Sequence, residues 1–394
     1  MKDIKKDVLD TFLRMVQVDS ESFNEKAMVD FLQEEIALRK WDCKTIVQPV
    51  SISNLSKDLH LPFTKEEIEK QTCQLAVVIE GNDDTKEPIY LCAHIDTVAP
   101  GKGIKPIVED GVIKTDGTTI LGSDDKSGVA SIVCAVDQVL KNNIPHGKLV
   151  LLFVALEEKG HIGALHANVK DFGVNYGYVF DTGNDIGRLV KRDQHGRTLR
   201  LTIKAKHLQN HAMSCLDNNS LTATVDLMAQ FPKKVYDMED ITFCQITRLD
   251  NTYEPGYMVP RQTDVRYTMR SFDLDKLDAL CKKVCDLLDN FKMDNIEISY
   301  TISPQLTYGY DMTKMPRGQE LMDKAVECIH EMGLTEEYIT TGLGGHDSSV
   351  FIREGVPSLV LASGMRNIHT CQEYILVKDL ENCAILTQKL IQKA

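Results

Sequence analysis

Helix and strand signals alternate along residues 1–190, and this alternation is the strongest constraint on the fold. Amphipathic stretches predict helices over about 4–17 and 25–38 and from Ser127 to about 141, and apolar runs predict strands near 74–80, 88–93, 148–156 and 176–181. Strands separated by helices pair in parallel, because each crossover helix packs on a face of the sheet. The sequence therefore predicts an α/β fold with a mostly parallel sheet and helices on both faces.

The pattern changes at about residue 195. The segments "LRLTIKAKH", "SLTATVDLMAQF", "ITFCQITRL", "DVRYTMRSF", "LDKLDALCKKVCDLLDNF" and "IEISYTI" predict the order β-α-β-β-α-β. The α/β pattern then returns, with a helix at 318–332, a strand at "PSLVLA" and a final helix from about 377. We therefore expect one α/β domain formed by 1–194 and 305–394, interrupted by a smaller inserted α+β domain at 195–304. Residues 51–72 form a polar insertion whose role the sequence does not reveal.

Charge and cysteine usage exclude several classes of protein. The net charge is −13 and no cluster of Lys and Arg is present, which argues against nucleic acid or an anionic membrane as a partner. No apolar run is long enough to span a membrane, and the N-terminus lacks a secretory signal. The eleven cysteines are scattered and odd in number, which is typical of free thiols in a reducing compartment. We expect a cytoplasmic protein.

Polar side chains follow the predicted strands. The strand in "YLCAHIDTV" ends in His94 and Asp96, which share a face because strand side chains repeat every two residues. The other candidates are Asp124 and Asp125 before a helix, Glu157 and Glu158, Asp181, and His369. Each alone is more typical of a turn or a solvated surface. Together they favour a metal site, because the carboxyl ends of parallel strands meet at one edge.

This set of side chains narrows the choice of metal. Two imidazoles with several carboxylates suit zinc, and the same donors accept cobalt or manganese. Clustered carboxylates repel one another unless cations neutralise them, and two divalent ions sharing one carboxylate can hold a hydroxide between them. His94 would bind metal while Asp96 fixes its tautomer. Of the adjacent Glu157 and Glu158, one should bind metal and the other act as general base.

The motifs "AHIDTV", "LGSDDKSG", "EEKGHIGA", "YVFDTG", "GLGGHDSSVF" and "NIHTCQEY" occur in this order. The chain resembles, over nearly its whole length, the di-zinc exopeptidase and amidohydrolase family that contains peptidase T, carboxypeptidase G and succinyl-diaminopimelate desuccinylase. The resemblance is strongest to the peptidase T-like members, which are tripeptide aminopeptidases.

The resemblance implies a role for each candidate. One zinc would be bound by His94 and Asp181, and the other by Glu158 and His369. Asp124 would bind both zinc ions, with a cis peptide bond to Asp125. Asp96 would orient His94, and Glu157 would be the general base. Asp at position 181 goes with aminopeptidases and tripeptidases in this family more than with carboxypeptidases.

The inserted domain supplies two further candidates by resemblance. His211 in "KHLQNHAMS" would help polarise the scissile carbonyl, often across a dimer interface, with His207 as the alternative. Arg270 in "TMRSFD" would hold a substrate carboxylate in a bidentate contact. An exposed polar residue in an alternating strand is the competing interpretation for both. The resemblance also implies that 1–194 and 305–394 form the catalytic domain, and that 195–304 form a lid through which a homodimer assembles.

Three positions depart from the family pattern. His346 stands where Thr is usual, Thr182 follows Asp181 in place of Gly, and Ser271 replaces the Asp that follows the lid Arg. These changes surround the expected pocket, so they affect the expected substrate more than the expected metal chemistry. His346 is a candidate to contact substrate carboxylate or to bind metal.

The sequence therefore predicts a zinc-dependent exopeptidase that removes the N-terminal residue of short peptides by means of a metal-bound hydroxide. One alternative is an amidohydrolase that deacylates N-acyl amino acids with the same metal centre. Another is a metal-binding homologue without catalysis, against which the presence of Glu157 argues.

Overall fold

The computed structural model describes residues 4–51, 64–206, 211–213, 219–232, 242–252, 256–303, 307–340 and 345–394. The chain divides into two compact units. The first unit comprises Met1–Lys191, Asp311–Thr340 and His346–Ala394, and the second comprises Arg192–Tyr310 and Thr341–Gly345.

The helices of the described residues are α1 Ile4–Met15, α2 Lys26–Arg39, α3 Lys65–Gln71, α4 Ser123–Lys141, α5 Ala164–Ala167, α6 Ser220–Gln230, α7 Leu274–Asn290, α8 Gly318–Glu331, α9 Ser348–Arg353 and α10 Val377–Lys393. Short 3₁₀ helices lie at Glu157–Lys159, Val169–Phe172 and Met312–Lys314. The strands are β1 Lys44–Pro49, β2 Cys73–Ile79, β3 Ile89–His94, β4 Ile107–Glu109, β5 Val112–Lys114, β6 Leu149–Val154, β7 Tyr176–Thr182, β8 Arg188–Val190, β9 Arg192–Asp193, β10 His195–Ala205, β11 Phe243–Asn251, β12 Gln262–Ser271, β13 Ile296–Ile302, β14 Tyr310–Asp311, β15 Glu337–Ile339, β16 Ser358–Ala362, β17 Met365–Arg366 and β18 Tyr374–Leu376.

The first unit is built on an eight-stranded sheet with the order β1-β2-β6-β3-β7-β16-β8-β15. Strands β6, β3, β7 and β16 pair in parallel, as do β8 and β15. The pairs β1 with β2, β2 with β6 and β16 with β8 are antiparallel. A second sheet has the order β17-β18-β5-β4. The predicted mostly parallel α/β sheet is confirmed.

Burial explains why the central strands read as continuous apolar runs. Every residue of β3 and β6 is buried, as expected for parallel strands covered on both faces. Helix α4 packs on β3 and β7, and α1 and α10 pack on α4. Helices α8 and α9 pack on β16. The carboxyl ends of β3, β6 and β7 are thereby held at one edge of a rigid core.

The second unit is a four-stranded antiparallel sheet with the order β11-β12-β10-β13, on which α6 and α7 pack. Its chain order confirms the predicted β-α-β-β-α-β pattern. Strand β12 alternates buried and half-buried residues, because only one face meets the helices. Its core contains Leu199, Leu201, Ile203, Leu227, Val265, Tyr267, Met269, Leu277, Val284 and Leu288.

The polar insertion at 51–72 is described only in part. Residues 64–72 contain α3, which begins with a capping box between Thr64 and Glu67. Among the helices that the structure describes, none is long and apolar enough to cross a membrane.

Candidate metal centre

His94 lies at the end of β3, where the strand reaches the edge of the sheet, and its side chain is buried. Its Nε2 atom is 3.0 Å from Asp124 Oδ1 and 3.8 Å from Asp181 Oδ1. Its Nδ1 atom is 2.9 Å from the backbone carbonyl of Asp96 and 3.6 Å from the Asp96 carboxylate. Nε2 therefore points toward two carboxylates, while residue Asp96 holds the other side of the ring.

Asp124 connects the two predicted histidine ligands. Its Oδ1 atom is 3.0 Å from His94 Nε2, and its Oδ2 atom is 3.0 Å from His369 Nε2. The peptide bond from Asp124 to Asp125 is cis, and both residues have non-helical backbone angles inside α4. Helix α4 spans Ser123–Lys141, but Asp124 and Asp125 interrupt it, so continuous helical backbone begins only after Asp125, close to the predicted start at Ser127.

Glu157 and Glu158 open a 3₁₀ turn, Glu157–Lys159, which two residues separate from the end of β6, and the preceding Leu156 adopts a left-handed conformation. Glu158 Oε1 is 2.8 Å from His369 Nε2, whereas Glu157 Oε1 is 3.0 Å from His161 Nδ1. The two adjacent carboxylates thus have different partners. This divergence is consistent with one metal ligand and one free base.

Asp96 supports both halves of the centre. Its carboxylate accepts hydrogen bonds from Ser22 Oγ at 2.7 Å and from the backbone N–H of Glu157 at 3.0 Å. The side chain is completely buried. One carboxylate thereby connects the strand that carries His94 with the turn that carries Glu157.

Glu373 is a supporting residue that the sequence interpretation missed. It is 1% exposed, and its two oxygens accept four hydrogen bonds. The donors are Leu121 N at 2.7 Å, Gly122 N at 2.8 Å, Ser123 Oγ at 2.6 Å and Asp124 N at 3.0 Å. Glu373 therefore fixes the loop that presents Asp124. It lies inside the quoted motif "NIHTCQEY", but nothing in its spacing distinguishes it from a surface acid.

The electrostatics of the centre follow from buried like charges. Burial and the nearby Glu157 raise the pKa of Asp181 well above its ordinary value. Burial also disfavours the charge on Asp124, but hydrogen bonds with His369 and His94 hold its pKa well below the usual range. Contacts with Asp124 and Glu158 raise the pKa of His369 to about 10. The carboxylates thus require positive charge between them, which protonated imidazoles or cations can supply.

The donor set fits divalent cations. His94, Asp124 and Asp181 each offer an atom within 4.8 Å of the others, and so do Asp124, Glu158 and His369. Donors bound to one tetrahedral zinc at about 2.0–2.1 Å lie roughly 3.3–3.5 Å apart. The 2.8–3.8 Å separations of the ion pairs among these side chains bracket that spacing. The two groups share Asp124, so its carboxylate can serve two ions.

The remaining predicted residues lie as follows. His346 is buried and precedes α9 in the first unit. His211 is exposed in the second unit, where its ring lies 6.4 Å from that of Tyr257, and Arg270 is half-buried on β12. His207 lies outside the described residues. The binding roles of these side chains stay predictions.

A further group was not predicted from the sequence. His161 Nδ1 is 3.0 Å from Glu157 Oε1 and 3.5 Å from Asp347 Oδ1. Burial opposes a charge on His161, but the two carboxylates raise its pKa to about 10. His161 belongs to the motif "EEKGHIGA" and Asp347 to the motif "GLGGHDSSVF", and each motif also contains predicted site residues. The two residues are 186 positions apart in the chain, so no local sequence pattern predicts that they are close in the fold.

The fold and the site together define a metallopeptidase with a mostly parallel catalytic sheet and an inserted α+β segment. The chain belongs to the family described as Peptidase family M20/M25/M40, whose sequence profile matches residues 90–393.

Relatives cover the whole chain. The uncharacterized protein YqjE of Bacillus subtilis is 27% identical over 390 residues, which is 99% of each chain. Peptidase T of Limosilactobacillus fermentum is 25% identical over 425 residues, which is 98% of this chain and 97% of that one. The predicted resemblance to peptidase T-like members is confirmed.

Solved structures share the fold. Aminopeptidase PepT from Bacillus cereus superposes with a TM-score of 0.79 at 25% identity, covering 99% of this chain and 98% of that one. A tripeptidase from Staphylococcus aureus superposes with a TM-score of 0.82 at 24% identity, covering 98% of each chain.

Proposed function

We propose that this protein is a two-zinc aminopeptidase that releases the N-terminal residue from short peptides. One observation carries the proposal: the two oxygens of Asp124 each lie 3.0 Å from a different histidine, and Glu157 stands beside this group. A carboxylate with a histidine at each oxygen suits a bridge between two cations.

The ligands divide into two sets. His94 and Asp181 would hold one ion, Glu158 and His369 the other, and Asp124 both. Zinc fits this mixture of imidazole and carboxylate, and cobalt or manganese could occupy the same donors. When bound, the cations would supply Lewis acidity that lowers the pKa of water and polarises the scissile carbonyl.

Glu157 is the proposed general base. Its carboxylate is not needed to complete either set of ligands, and its backbone N–H is fixed by Asp96 at 3.0 Å. Glu157 would take a proton from the attacking water and deliver it to the leaving amine. Because Asp96 contacts both Glu157 and His94, it fixes the position of the base relative to His94.

Arg270 is the proposed anchor for the peptide carboxylate. Its guanidinium lies over Gly196, where an added Cβ would come within 3.0 Å of it. Arg270 Nη1 is buried without a hydrogen-bond partner among the described residues. A buried guanidinium with a free donor is suited to a carboxylate. His211 is proposed to polarise the carbonyl, and His346 to contact the substrate.

We propose that the inserted domain acts as a lid. Residues 195–304 would form the lid and a homodimer interface, and residues 1–194 and 305–394 the catalytic domain. Exposed apolar side chains on β11, including Ile246 and Leu249, support an interface there. The ten described cysteines are free thiols, which supports a cytoplasmic location.

The substrate proposal is tested with matched tripeptides whose N-terminus is either free or acetylated. The zinc-loaded protein should release the first amino acid from the free peptides and leave the acetylated partners intact. Cleavage of only the acetylated peptides would replace the proposal with a deacylase of N-acyl amino acids.

A further inference from the structure

Three potential ligands converge beside the metal centre without belonging to either set of proposed zinc ligands. Glu157 Oε1, His161 Nδ1 and Asp347 Oδ1 all lie within 4.8 Å of one another. Their side chains are 11%, 7% and 1% exposed, respectively. All three belong to the first unit. The group is therefore built into the core of the catalytic unit.

Two of these atoms lack the hydrogen bonds that buried polar groups normally make. His161 Nδ1 lies in ion-pair range of both carboxylates, yet neither His161 Nδ1 nor Asp347 Oδ1 makes a hydrogen bond of normal geometry among the described residues. Asp347 occupies the position before α9, yet its side chain makes no capping hydrogen bond there. A buried polar atom without a partner is costly, so the arrangement indicates a ligand between the three side chains.

The spacing of the group matches that of the proposed zinc ligands. His161 Nδ1 lies 3.0 Å from Glu157 Oε1 and 3.5 Å from Asp347 Oδ1. These distances bracket the roughly 3.3–3.5 Å between donors on one tetrahedral zinc. One imidazole with two carboxylates is also the composition of each proposed zinc set.

We infer that Glu157, His161 and Asp347 form a third divalent-cation site, which takes zinc and is separate from the two catalytic ions. A cation there would hold the carboxylate of Glu157 and prevent it from accepting a proton. Excess zinc would therefore inhibit hydrolysis. This consequence for activity rests on the proposed function, whereas binding of the third ion does not.

Zinc stoichiometry tests the binding directly. The metal-free protein is dialysed against zinc at increasing buffered free concentrations, and bound zinc per chain is measured by emission spectrometry. Asp347→Asn and His161→Gln remove one ligand each, and circular dichroism confirms that each variant is folded. His330→Gln is the matched control, because it removes an exposed imidazole from α8 in the same unit.

Wild type and His330→Gln should saturate at three zinc ions per chain, and Asp347→Asn and His161→Gln at two. Saturation of wild type at two, or a third ion retained by Asp347→Asn, would overturn the inference, and the latter result would indicate an adventitious surface ion. If His161→Gln fails to fold, Asp347→Asn decides.

Activity supplies an independent measurement. Zinc above the concentration that fills two sites should slow wild-type peptide release at least tenfold, and Asp347→Asn should resist this effect. A third ion bound without inhibition would overturn the assigned effect on Glu157. An absence of peptide hydrolysis under all conditions would instead refute the proposed function, and the stoichiometry would still decide the third site.

Discussion

Replacement of Glu373 by Gln tests whether a residue outside the metal ligands holds the centre together. The carboxylate accepts four hydrogen bonds from Leu121, Gly122, Ser123 and Asp124. An amide group in place of one oxygen faces two of these donors and loses their hydrogen bonds. Hydrogen bonds to a charged group contribute about 1.5–3 kcal/mol each to the free energy of unfolding, so the loss of two lowers that free energy by about 3–6 kcal/mol. Removing a buried charge recovers part of it, because burial itself raises the pKa of Glu373.

We therefore expect Glu373→Gln to lower the free energy of unfolding by about 3 kcal/mol, measured by urea denaturation. Because the same hydrogen bonds position Asp124, zinc affinity should fall by about 10–100-fold. Glu381→Gln is the matched control, since Glu381 pairs at 3.3 Å with the exposed Lys5 and should contribute less than about 1 kcal/mol. Equal stability and equal zinc affinity of Glu373→Gln and Glu381→Gln would refute the reasoning.

Three further predictions concern metal, acid and substrate. Chelation should lower the melting temperature and zinc should restore it, because each occupied site adds about 2.7 kcal/mol to the free energy of unfolding at a zinc concentration of 100 times its Kd. A melting temperature that chelation leaves unchanged would contradict the metal centre. Arg317 lowers the pKa of Glu87 to about 2, so the stability that Glu87 provides is present above its unfolded value near 4.5 and is lost as pH falls toward 2. The difference in free energy of unfolding between wild type and Glu87→Gln, both treated with chelator, should therefore shrink below pH 4.5. A difference that stays constant with pH would contradict this prediction. Arg270→Met should raise KM for tripeptides at least tenfold with a smaller change in kcat, and an equal loss in both would argue against a substrate anchor.

The elements of the core were predictable because their patterns are local. Strand β6 is an uninterrupted apolar run, strand β3 is one up to His94, and α7 carries a helical period from Leu274 to Asn290. These signals sufficed for a mostly parallel sheet and for the inserted β-α-β-β-α-β unit. The short strands β4, β5, β17 and β18 carry only two or three residues each, which is too few for a period to appear.

The candidate site was predictable where residues follow strands. His94, Glu157 and Asp181 occur at the ends of β3, β6 and β7, and a shared sheet edge brings them together. The residues that the sequence did not reveal act through long-range contacts. Glu373 meets the Asp124 loop across about 250 positions, and Asp347 meets His161 across 186. Such pairs have no local pattern, because only the folded sheet sets their distance.

The central claim is that Glu157 acts as the base beside a two-metal centre, and Glu157→Gln tests it most directly. The variant and wild type are loaded with two zinc ions per chain, and amino-acid release from a free tripeptide is measured at neutral pH. A general base contributes about 10²–10⁴-fold, so the variant should lose at least about 100-fold in kcat while retaining both ions. An unchanged rate with both ions bound would contradict the account.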